Sequence, residues 1–323
     1  MAVIPFSEWR PDMPALSQWA QEALNVVAGE EAYKPLNGLQ GVTGALSATC
    51  YGATWFRTPS GPAKVYAGNV TNLFLLVGGT NWSAISRTSG GAYSCTTGNW
   101  WRFTQFGTLA IAVDGVDAPQ SLDLSIGTNF QNLAGSPPVA AYAATVNDFV
   151  VLGNIATLPQ RIQWSGLNNA NIWGAAASIY TGSITYAAFQ ADIQDLPDGG
   201  NVTGVFGGEY GVILQEAAVR RLTYIGPPVV FRIDVLSNGI GCSIPGTAAG
   251  VLDMVFFYHQ SGFYMVQGGQ NVIPIGHGKV DKFFAGEFDF TNQLRCSATI
   301  DPVRALYILA YPRTVPTASP TGC

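Results

Sequence analysis

Six short apolar runs, each bounded by turn residues, recur along this chain and limit it to a repeated β architecture. They are Leu73–Val77, Leu109–Val113, Phe149–Leu152, Val212–Leu214, Val255–Tyr258 and Leu306–Leu309. Four of them are followed by a polar or glycine turn and a second strand. Taking Leu75, Ile111, Val151, Ile213, Phe256 and Tyr307 as centres, the successive steps are 36, 40, 62, 43 and 51 residues. A standard propeller blade takes roughly 40–50 residues. The pattern predicts an all-β, β-propeller-like body of short antiparallel blades. The 62-residue step leaves room for an insertion or a further blade.

One large β domain is compatible with 323 residues, because all-β folds often exceed 200 residues as one unit. With 48% hydrophobic and 12% aromatic residues, the material for a core is ample. Charge is the anomaly: 11% of residues are charged, against about 25% in an average soluble domain. The surface is therefore built of Ser, Thr, Asn, Gln and Gly, or it is covered by other chains. The 38 glycines and 19 prolines suit many tight turns. A net charge of −5 and a pI near 4.9 leave no basic footprint for gripping phosphates. That excludes tight nucleic-acid binding but not DNA that merely passes, since a neutral or acidic lining keeps a phosphate backbone moving.

Residues 1–42 read as an arm punctuated by Pro5, Trp9, Pro11, Asp12, Pro14 and Pro35. Its one helix candidate is Ala15–Val27, with Leu16, Trp19, Ala20, Ala23, Leu24 and Val27 near the spacing of one helical face. An extended arm lying across a neighbour is the equal alternative. The propeller-like domain is expected over 43–312, with a loop insertion near 167–200 and a flexible tail over 313–323. Within it, Asp114-Gly115 and Ser261-Gly262 are hairpin signatures. Met1–Arg10 has no basic region followed by an apolar run, so no signal peptide is expected. No stretch reaches about 18 uninterrupted apolar residues, so no transmembrane helix is expected either.

The search for chemistry returns little. Cys50, Cys95, Cys242, Cys296 and Cys323 are far apart and form no metal or redox spacing. Cys50 and Cys95 form a disulfide or, more in keeping with cysteine's preference for cores, stay free. His259 and His277 have no carboxylate cluster beside them, and no nucleophile elbow, dinucleotide fingerprint or phosphate loop occurs. A glycosidase needs a facing carboxylate pair, for which Glu209, Glu216, Asp234, Asp253, Asp281, Glu287 and Asp289 are the available residues. The aspartate-box motif of sialidase-like propellers is missing. Trp82, Trp100, Trp101, Trp164 and Trp173 could form a sugar platform, though burial on strands is the better use of large rings. Asn69, Asn81 and Asn201 match Asn-x-Ser/Thr by chance. Arg220-Arg221 is the one local basic feature of the middle of the chain. Adjacent strand residues face opposite ways, so a structural ion pair is expected for one arginine and solvent or a channel for the other.

A resemblance spans most of the chain. The succession Gly207-Gly208-Glu209-Tyr210-Gly211-Val212-Ile213-Leu214, Arg220-Arg221-Leu222-Thr223-Tyr224-Ile225-Gly226 and Phe231-Arg232-Ile233-Asp234 resembles propeller proteins of tailed-phage virions. So do Met254–Tyr258, Gly262-Phe263-Tyr264, Pro274-Ile275-Gly276, Lys279-Val280-Asp281, Asp301-Pro302 and Tyr311-Pro312. The opening Phe6, Trp9, Pro11-Asp12, Asn25-Val26-Val27 and Tyr33–Pro35 is similar to the openings of such proteins. The nearest likeness is to the tail nozzle or hub proteins of short-tailed phages. It implies a hexameric ring beneath the portal and adaptor, part of the virion tail, forming a channel for DNA retention and ejection. No enzyme activity, metal, cofactor or small-molecule substrate comes with it. Arg220, Arg221, Lys279 and Lys282 are the candidates for channel or interface contacts. The chain is shorter than familiar nozzles. The other classes open to it are a receptor-binding or fibre-like virion module and, further off, a propeller glycosidase. Packing rather than chemistry is expected to limit it, so Gly211→Val should fail through the blade.

Overall fold

The computed structural model describes residues 7–28, 33–36, 40–96, 98–174 and 189–314. By contact the chain divides into two compact units, Gly41–Cys242 and Met1–Gln40 joined with Ser243–Cys323. Residues 43–312, expected as one propeller-like domain, fall in both units.

The larger unit holds four antiparallel meanders in chain order. The first is β3 (Gly52–Phe56), β4 (Lys64–Gly68), β5 (Leu73–Val77) and β6 (Asn81–Ala84). The second is β7 (Arg102–Phe106), β8 (Leu109–Val113), β9 (Gln120–Asp123) and β10 (Gln131–Asn132). The third is β11 (Ala140–Val146), β12 (Phe149–Ile155), β13 (Leu158–Gly166) and β14 (Asn169–Trp173). The fourth is β16 (Val202–Phe206), β17 (Gly211–Gln215), β18 (Ala218–Gly226) and β19 (Val230–Asn238).

Side-chain alternation shows how these sheets stack. On β8, Ala110 and Ala112 belong to a core with Tyr66, Leu73 and Phe130, while Ile111 and Val113 belong to another with Val150 and Leu152 of β12. On β12, Phe149 and Val151 turn the other way, to Val205, Ile213 and Leu222 of the fourth meander. A strand has period two, so each inner strand feeds the cores on both sides. Consecutive sheets therefore pack face to face, as propeller blades do. The body is all-β and β-propeller-like.

All six expected cores are strands. The Asp114-Gly115 turn joins β8 to β9. Gly211 is buried on β17, and a Cβ there would lie 3.1 Å from Leu222 and from Val146. The 62-residue step has its source in the third meander. There a fifth strand, β15 (Asp192–Asp195), pairs with β13 beside β14. Arg161 and Asp195 face each other across that pair and form a two-pronged ion pair of 2.6 and 2.9 Å. Much of the insertion expected over 167–200 lies outside the described residues.

The smaller unit holds a fifth meander, β20 (Ala249–Val251), β21 (Met254–His259), β22 (Gly262–Gln267) and β23 (Asn271–Pro274). It also holds helix α1 (Asp281–Glu287), the hairpin β24 (Ser297–Asp301) with β25 (Leu306–Ala310), and a ribbon of β1 (Val26–Ala28) with β2 (Tyr33–Pro35). Ser261-Gly262 turns β21 into β22, as its sequence requires. The core is aromatic: Tyr258, Phe263, Phe284 and Phe288, with Tyr307 and Leu309 packed on it.

The helix expected over Ala15–Val27 does not form: the stretch is a run of turns that ends in β1. Leu16 and Leu24 are 102% and 67% exposed, so the apolar face has nothing to bury against. The chain instead folds back, Arg10 N donating to Ala20 O at 2.8 Å, and the Gln21 amide binds the carbonyls of Met13 and Pro14. The flexible tail expected over 313–323 falls almost wholly outside the described residues.

Candidate functional site

The four basic candidates separate into the two units. Arg220, on β18, is 6% exposed, and its Nε donates to Gln215 Oε1 at 2.7 Å. Its Nη2 donates to Asp198 in the turn before β16, and this guanidinium holds the Asp198 carboxyl below its ordinary range. Gln215 completes the lock by donating to the carbonyls of Leu196 and Gly200 at 2.8 and 2.7 Å. Arg220 is thus the arginine of the internal ion pair. Its guanidinium is bound within the fold by Gln215 and Asp198. Arg221 faces the other way, 4.6 Å above the Tyr210 ring.

In the smaller unit, Lys279 Nζ lies 3.2 Å from Glu8, which Arg10 also contacts at 2.6 Å. Arg10 first, then Lys279, holds the Glu8 carboxyl below its ordinary value. Lys282 takes part through its backbone: Asp12 accepts from Lys282 N and Phe283 N at 2.9 and 2.8 Å. One carboxylate of the arm thereby satisfies two of the free amides that open α1. Trp9 meets Phe283 edge-on at 5.2 Å.

Arm and helix together bound a cavity of about 260 Å³, lined by Trp9, Phe263, Ile275, Val280, Phe284 and Tyr311 among others. Its lining has no carboxylate, imidazole, amine or thiol; Tyr307 and Tyr311 are its only ionisable side chains. Sequence reasoning missed it, although Trp9 and Asp12 were prominent. Nothing local told where the arm would land.

The reactive side chains are held in local structure. His259 Nδ1 accepts from Ser261 N at 3.2 Å and lies 2.7 Å from Ser261 Oγ, which is 2.9 Å from Tyr264 OH. Burial holds the imidazole below its ordinary pKa. Glu216 is bound by Asn201, Asp234 by Arg232, Glu287 by Arg313, Asp281 by Phe263 N and Asp289 by Thr291 N. No cluster of three metal-ligating side chains occurs among the described residues. Cys50 and Cys95 are both free. The Cys95 thiol is pushed up to about 12 by burial, then by Asp114 and Asp117, which removes it as a nucleophile. Trp101 and Trp164 are 2% exposed and Trp173 is 4% exposed, so they are core and not a sugar platform.

Among the described residues, Asp114 is a carboxylate that is 1% exposed. Its Oδ1 accepts from Val116 N and Asp117 N at 3.0 and 2.8 Å, while its buried Oδ2 has no hydrogen-bond partner. Desolvation raises its pKa above 3.8. The folded state then binds a proton that the unfolded chain releases, so stability rises as pH falls through the interval above 3.8. Asp114→Asn keeps the turn bonds without the buried charge. It is expected to add about 1 kcal/mol at neutral pH and to flatten that part of the pH dependence. Thermal unfolding of both proteins from pH 4 to 8 checks this, and an unchanged difference across the range would count against it.

No protein-family model matches this chain, and no curated protein matches it. Among solved structures it is similar to an auxiliary nutrient binding protein from Bacteroides thetaiotaomicron, at 10% identity and a TM-score of 0.47 over 80% of this chain and 66% of that one. It is similar to YCF48 from Cyanidioschyzon merolae at 10% identity and a TM-score of 0.42, over 67% and 70%. The computationally designed Ika8 protein matches at 11% and 0.43, over 70% of this chain and 60% of its own. The chain thus spans less than two thirds of the length of two of these three.

Proposed function

We propose that this chain is a structural subunit of a phage tail, a nozzle or hub protein whose copies form a hexameric ring through which DNA is held and ejected. The sequence resemblance to such proteins supports this reading. The observation that carries it is the surface: a blade body with 11% charged residues leaves Trp55 65%, Val42 80%, Ile126 85% and Val303 92% exposed. A surface so poor in charge suits burial against other chains, since obligate interfaces resemble domain cores. The work of such a subunit is geometric. Stacked blades give a rigid wall, and the arm and inserted loops meet the portal, adaptor and other tail proteins. DNA passes without specific binding. The protein is made in the host cytoplasm and ends in the virion tail.

The mass of the native assembly, by light scattering and by imaging of virions that carry the protein, tests this. Six copies beneath a portal support the ring. A trimer with glycan affinity would replace it with a receptor-binding or fibre-like module. A monomer that turns over polysaccharide would replace it with a glycosidase.

A further inference from the structure

The tip of the β21–β22 hairpin holds three side chains in one hydrogen-bonded row. The strands close at His259 and Gly262, so Gln260 and Ser261 alone form the loop. Ser261 Oγ lies 2.7 Å from His259 Nδ1 and 2.9 Å from Tyr264 OH. The backbone decides which atom gives each proton. Ser261 N can only donate, and it donates to the same Nδ1 at 3.2 Å. Nδ1 is therefore the lone-pair nitrogen of the ring. The Ser261 hydroxyl then donates to Nδ1 and accepts from Tyr264 OH.

Tyr264 is also the titratable neighbour of the imidazole, its ring meeting His259 edge-on at 6.1 Å. Desolvation holds His259 below its ordinary pKa of 6.5, so the imidazole is a neutral base at pH 7. A hydroxyl whose proton is directed at a neutral imidazole is an activated nucleophile. Ser261 is exposed, so a reactant can reach it.

We propose that Ser261 is a nucleophile, with His259 as its general base, and takes the acyl group of a small aryl ester. The Ser261 oxygen bonds to the ester carbonyl carbon while its proton passes to His259 Nδ1. Tyr264 OH, beside the attacking oxygen, is the donor for the charge that develops on the carbonyl oxygen. Collapse breaks the bond from that carbon to the aryl oxygen, which takes the proton from Nδ1 and leaves as the phenol. Water then attacks the acyl carbon and gives its proton to Nδ1. The carboxylic acid departs as the Ser261 oxygen takes that proton back. An exposed hairpin tip gives a leaving group little help, which is why a readily departing phenol suits it and an alkyl ester does not. This activity is separate from the tail-subunit reading and does not depend on it.

A fluorophosphonate, whose fluoride is displaced from phosphorus by a serine oxygen, tests the nucleophile, and para-nitrophenyl acetate tests the acyl transfer. Peptide mass mapping is expected to place the phosphonate on Ser261, and Ser261→Ala should lose both that adduct and the release of para-nitrophenol. His259→Ala should label at least about a hundredfold more slowly, the usual contribution of a general base. In the parent protein the labelling rate should rise with pH through the His259 pKa and then level off, whereas a serine without a base shows no such plateau. Adducts confined to other residues would overturn the proposal. So would equal labelling of the parent and the His259→Ala variant, which would leave the three side chains as a brace for the hairpin. Circular dichroism matching the parent protein confirms that each variant is folded.

Discussion

Trp101→Ala is expected to cost about 3–5 kcal/mol of stability in the larger unit, the range for removing a large aromatic side chain from a core. The indole is 2% exposed, meets Tyr93 edge-on at 5.0 Å and stacks beside Phe103 at 6.4 Å. Gly52 and Gly68 lie against it so closely that a Cβ on either would collide with Trp101. Gly68 has no side chain to fill the hole the ring leaves. Its Nε1 also donates to Asn69 O at 2.9 Å. Trp101→Phe keeps most of the packing and orphans that carbonyl, so a smaller loss of about 1–2 kcal/mol is expected. Urea unfolding followed by circular dichroism separates the two. An alanine variant within about 0.5 kcal/mol of the parent would show that this core is not close-packed.

Arg220→Ala and Arg221→Ala should differ sharply although the residues are neighbours. Removing Arg220 leaves the buried oxygen of Gln215 without its donor and loosens the turn that carries Asp198. A buried orphan costs about 1–3 kcal/mol, and the lost packing of the aliphatic stem adds to it. The Asp198 side chain is 61% exposed and rehydrates, which keeps the loss below that of a fully buried broken pair. Arg221→Ala gives up a ring contact worth about 0.5–1 kcal/mol. Urea midpoints for the two variants check the order. Equal losses would refute the division of roles.

Three of the strands that sequence reading located have both faces buried. β8, β12 and β17 are buried almost throughout, so nearly every residue is apolar and the run is continuous. Edge strands such as β6 and β10 are mostly exposed and have no such run, which is why they were not located. Arg220-Arg221 was legible because strand geometry alone sends the two side chains apart. The partner of Arg220 was not, since Asp198 reaches it only once the turn before β16 packs on β17 and β18.

The arm shows the limit most clearly. Helical spacing over Ala15–Val27 was present in the sequence, but a marginal helix forms only when its apolar face is buried, and Leu16 and Leu24 remain in solvent. By itself the sequence determined the all-β class, the repeat and the hairpin turns, because strand period and turn chemistry are set by residues a few positions apart. Only the tertiary structure decided that Asp12 caps α1, that Trp9 lines an aromatic cavity and that β24–β25 has two strands among the described residues. Each depends on contacts between segments far apart in the chain, where burial and hydrogen-bond satisfaction outweigh local preference.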